Sequence, residues 1–80
     1  MTDHLASALL AAVSYIERRD VSEEIADEDV RVLEEIFHHL HLCSEAEREC
    51  IRECARIVAT QVTDARHRQS LSAVIENLDP

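Results

Sequence analysis

Glycine is missing from this chain, and its single proline is the final residue, Pro80. An average chain of this length carries five or six glycines, at about 7% usage. Without glycine's access to positive φ, tight β-hairpin turns lose their usual occupant, and a strand-rich fold is all but excluded. Without an internal proline, nothing breaks a helix from within. Lysine is absent too, so all eight cations are arginines, set against 17 acidic residues for a net charge of −9. Such a charge opposes binding to nucleic acid or to an anionic membrane and favours a basic partner surface. Aromatics are scarce as well. Tyr15 and Phe37 are the only two, so the core has to be built from Ala, Leu, Ile and Val.

Three cysteines, an odd number, argue against a disulfide framework and fit reduced thiols in the cytoplasm. The apolar run from Leu5 to Ile16 is too short to span a bilayer, and Asp3 and His4 stand where a secretory leader would carry cations. The expectation is a complete, soluble, cytoplasmic chain whose residues 1–80 form one domain. Eighty residues lie near the lower limit for a self-sufficient core, and a second copy would bury what one copy leaves exposed.

The pattern predicts an all-α fold, a compact bundle of about four helices, with dimerisation through the first helix as its completion. That helix is expected from Asp3 to about Arg19, with Leu5, Leu9, Ala12 and Ile16 as the core stripe. Ala8, Leu10, Ala11 and Val13 spread apolar surface round most of the remainder, leaving Ser7 and Ser14 as the polar side. A helix apolar nearly all round is either central or half of an interface, and Leu10 and Val13 are the expected contact with a second copy. Asp20 with Glu23 resembles a capping box for the second helix, which carries Ala26, Val30, Leu33, Phe37 and Leu40 inward; a restart near Asp27 would detach residues 21–27. Ser44 with Glu47 is the clearest start signal, opening a third helix that buries Ile51, Cys54, Ala55, Val58 and Val62. Its other face alternates Arg48, Arg52 and Arg56 with Glu45, Glu49 and Glu53, as solvated ion pairs do. Thr63 or Ser70 is expected to cap a fourth helix ending near Leu78.

Acid is concentrated in residues 17–35, where nine carboxylates face three arginines. Glu24, Asp27, Glu28 and Glu35 fall on the side of the second helix opposite Leu33 and Phe37. Side chains four apart lie about 6 Å apart on a helix, close to the spacing of phosphates along one nucleic-acid strand. Such a strip suits a groove built for DNA or RNA, although helix starts and solvated faces are often acidic for no further reason.

Other constellations carry less. His39 with Cys43 and Cys50 with Cys54 are i,i+4 pairs flanking a helical hairpin, and zinc takes both donor types. A level set would have to combine Glu35 with His39, Cys50 and Cys54, mixing a carboxylate with thiols, while Cys43 and Cys54 fall on apolar stripes. No metal or cofactor is therefore expected. Glu35-x-x-His38 has the spacing of di-iron bundles but lacks its second copy. No nucleophile elbow or phosphate-cradling loop is present, so no enzymatic activity is expected.

The leading expectation is a non-catalytic interaction module that docks Glu24, Asp27, Glu28 and Glu35 on a basic protein surface, with Leu42 as an apolar anchor. In its sharpest form it is a small inhibitor or nucleic-acid mimic occluding the groove of a nuclease, CRISPR effector, toxin or transcription factor. The alternatives are a self-assembling scaffold subunit using Leu10 and Val13, and a zinc- or redox-responsive helical protein.

Overall fold

The computed structural model describes residues 4–79, and over them the chain folds as four packed helices without a strand. Helix α1 spans His4–Arg18, α2 Glu23–His41, α3 Glu45–Gln61 and α4 Ala65–Leu78. Each of the last three opens on a short polar side chain that satisfies an otherwise orphaned N–H. Ser22 accepts from Ile25, Ser44 from Glu47 and Asp64 from Arg66. At Ser44 the bond is reciprocated, since the Glu47 carboxylate accepts from the Ser44 N–H at 2.9 Å, and this hold draws its carboxyl below the usual range.

Two start positions differ from the sequence expectation. Asp20 is not the cap of α2; it sits 3.7 Å from Arg66, and the cap is Ser22, whose backbone is extended. From Glu23 onward α2 is continuous, with no restart at Asp27. Neither Thr63 nor Ser70 caps α4, because Asp64 does so first. Asp3, the expected start of α1, lies outside the described residues.

Helix ends are handled without glycine. No described residue has positive φ, so the left-handed cap that closes many helices is not used. An arginine from elsewhere in the chain reaches the final carbonyls instead. Arg66 donates to the Arg18 carbonyl of α1 at 2.8 Å, and Arg48 to the His41 and Cys43 carbonyls at the end of α2. Arg68 donates to Val62 after α3 at 2.8 Å, and Arg52 to Leu78 at the end of α4. A guanidinium offers several donors in a rigid plane, and its charge suits the negative end of a helix.

The core is formed by Ala6, Leu10 and Val13 of α1, Ile51 and Ala55 of α3, and Leu71, Val74 and Leu78 of α4, with Leu40 as the only buried side chain of α2. Thus α3 and α4 pair closely, α1 lies across both, and α2 flanks them.

The rotation of α1 corrects the sequence expectation. Leu10 and Val13, expected outside as an oligomer contact, are 3% and 2% exposed in the monomer core. Ser7 and Ser14, expected to face solvent, turn inward. Ser14 is fully buried and its Oγ lies 2.7 Å from that of Ser70, while Ser7 Oγ meets Cys54 Sγ at 3.4 Å. Ser70 donates to its own helix at the His67 carbonyl, which leaves Ser14 as the donor between the two. Leu5, read as core, is 84% exposed, and Ala12 is exposed with it.

Candidate interaction surface

Helix α2 is the longest of the four, 19 residues, and the least embedded. Two arginines from outside the helix hold it. In its second turn, Arg19 grips Asp29 through two parallel bonds, Nε to Oδ2 at 2.8 Å and Nη2 to Oδ1 at 2.6 Å. This fork holds the Asp29 carboxyl below its ordinary range and the guanidinium above its own. At its end, Arg48 holds the His41 and Cys43 carbonyls.

The outward face of α2 presents Glu24, Asp27, Glu28 and Glu35, all exposed. Among the described residues, none of the four has an ion-pair partner or a side-chain hydrogen bond. Leu42 stands just past the helix end, 72% exposed. The strip and the apolar residue expected beside it are therefore both accessible.

The underside of α2 is only partly covered. Leu33, Ile36 and Phe37 pack against the edge of the core, but Val30 remains 51% exposed and Ile25 45%. A groove of about 480 Å³ runs here between α1, α2 and α4, lined by Val30, Leu33, Phe37, His38, Asn77 and Glu17. The Glu17 Oε1 atom is buried without a hydrogen-bond partner, and burial pushes that carboxyl up. Sequence reading counted Glu17 with the acid run and missed its setting; its place one turn beyond Val13 on the inward side of α1 is the signal that finds it.

Arg52 is the second residue the sequence misplaced. Expected among solvated pairs, it is 3% exposed and is held by Glu45 and Glu49 while it donates to Leu78. Hydrogen bonds from Arg52 keep both carboxyls below the usual range. Only Arg56, pairing with Glu49 and Glu53 at 3.1 Å, remains on the exposed side as expected.

The thiol and imidazole groups do not converge. Cys43 Sγ donates to the His39 carbonyl at 3.7 Å, Cys54 turns to Ser7, and the His38 and His39 rings meet edge to face at 5.5 Å. Among the described residues no three His, Cys, Asp or Glu side chains gather as metal ligands, and no helix is long and apolar enough to cross a membrane. Compared with protein families, curated proteins and solved structures, the chain matches none.

Proposed function

We propose that this chain is a non-catalytic, cytoplasmic interaction module that sets the outward face of α2 on the basic surface of a nucleic-acid-binding protein and so inhibits it. The observation that carries this reading is the unpartnered state of Glu24, Asp27, Glu28 and Glu35. On α3, by contrast, Glu45, Glu49 and Glu53 are tied to nearby arginines, in pairs that stabilise their own helix. These four keep their charge available to a partner, on a helix held by Arg19 at Asp29 and by Arg48 at its end. Steering by such a strip gives fast, salt-sensitive association, and exposed Leu42 supplies an apolar contact beside it.

The test is the simultaneous reversal of Glu24, Asp27, Glu28 and Glu35 to Arg. Proteins captured from lysate by the natural chain in about 50 mM salt, and weakened at about 500 mM, should be lost by this variant while its helical circular-dichroism spectrum is unchanged. Capture of the same proteins by the reversed chain would refute the reading.

A further inference from the structure

The outward side of α1 is an apolar helix face that neither the fold nor the acid strip explains. No charged residue occurs between Leu5 and Ile16. Ala6, Leu10 and Val13 fill the core, yet Leu5 and Tyr15 are 84% and 58% exposed, and Ala8, Ala11 and Ala12 between them are exposed too. A surface helix ordinarily turns polar residues to water, and a contiguous exposed apolar patch marks an interaction site.

We propose that this face is an interface with a second copy of the chain, the two α1 helices lying antiparallel with Leu5 of each against the partner's Tyr15. The case for a second copy lies in the order of the residues. Leu5, Ala8, Ala12 and Tyr15 are spaced three, four and three apart, the spacing of a coiled-coil seam. They run large, small, small, large, symmetric about position 10. A two-fold axis requires one patch to complement itself, and this one does: Leu5 meets the partner's Tyr15, and Ala8 meets the partner's Ala12. The two alanine layers let the helices approach to the short end of the usual interaxial range of about 8–10 Å.

Two further features fit the same pairing. The Arg19 guanidinium lies over the Tyr15 ring, 5.9 Å from its centre, and so orders the ring before any contact forms. Beside Leu5, between α1 and the start of α3, is a cavity of about 340 Å³ with Cys43, Ala46 and Ile51 in its wall. The antiparallel pairing delivers the partner's Tyr15 next to this cavity. Charge points the same way, because two chains of net −9 repel and α1 is where they meet with no carboxylate in the seam. A seam of four side chains on a helix about 22 Å long is smaller than the roughly 20–30 residues a side of a standard interface. Such a contact belongs with the weak, reversible associations.

Sedimentation of the full chain from about 1 µM to 1 mM should show a reversible monomer–dimer equilibrium. Ala8→Glu with Ala12→Glu places like charges opposite each other and should weaken the dimer by more than about 100-fold, with an unchanged helical melt. Ala8→Arg with Ala12→Glu places opposite charges across the antiparallel seam and should recover at least about tenfold of that loss; a parallel seam would pair like with like. A monomer at every concentration, or a dimer indifferent to the two glutamates, would overturn the interface. Equal weakness of the two double variants would overturn its antiparallel register. The acid strip takes no part in this interface, so either proposal survives the failure of the other.

Discussion

The α3–α4 hairpin and α2 carry similar sequence patterns, an apolar stripe on one side and charge on the other, yet they are held in different ways. In the hairpin, Ile51, Ala55, Leu71, Val74 and Leu78 bury one another, and buried Arg52 locks the end of α4 to the start of α3. Helix α2 buries Leu40 alone and is secured by Arg19 at Asp29 in its second turn and by Arg48 at its end. The hairpin is fixed by buried apolar contacts and α2 largely by two arginines. A stripe stabilises only as far as something opposes it, and Val30 of α2 faces an open groove. Helices with few buried contacts open at low free-energy cost, which suits a surface that must adapt to a partner.

The largest effect expected from this contrast is a pair of truncations. Leu71→Ala, at a fully buried position, should cost about 3 kcal/mol or more in urea unfolding, whereas Leu33→Ala on half-covered α2 should cost nearer 1 kcal/mol. Equal losses would dissolve the distinction. Next come the two arginines. Arg52→Met should lower the thermal midpoint by about 5–10 °C and speed amide exchange at the end of α4. Arg48→Met should lower it by only a few degrees and speed exchange in α2 alone. Exchange that rises everywhere in both variants would show one cooperative unit.

The smallest effect concerns pH, where the start of α3 and the groove wall that α1 sets beside α2 should respond with opposite sign. Glu45 and Glu49 sit below the usual 4.5 in the folded chain, so their stabilisation is whole above that pH and is lost as pH falls through their depressed values. Glu17 is raised; its penalty is present at neutral pH and is relieved as pH falls through its folded value toward 4.5. Glu17→Gln should therefore raise the midpoint by about 1–2 °C at pH 7, and the gain should vanish near pH 4. A gain that persists in acid would show that packing, not charge, is responsible.

The fold class was legible from composition, and the start of α3 from a local signal. The Ser44–Glu47 box needs four consecutive residues and is present as read, and the absence of glycine and proline left helices as the available architecture. The phase of α1 was not legible, since a helix apolar on both sides gives periodicity no polar face to find. The decision rests on Ser14 meeting Ser70, a contact 56 positions apart in sequence. The burial of Arg52 is equally remote, because its carbonyl partner is 26 positions away. On α2, by contrast, Glu24, Asp27, Glu28 and Glu35 are exposed, since alternation along one helix is enough to place them.

The arginine-closed helix ends have a consequence for how the chain comes to fold. A glycine cap travels with its own helix and works in an isolated peptide, but Arg66 must come 48 positions to reach Arg18. A synthetic peptide of α1 or α4 alone therefore has no terminator and should fray at its last turn. Helices α1 and α4 acquire a defined length only as their distant arginines arrive, so for them secondary structure and assembly are completed together. Seven of the eight arginines are engaged in such contacts or in ion pairs. Among the described residues Arg31 alone is left without such a contact, and it stands exposed on α2.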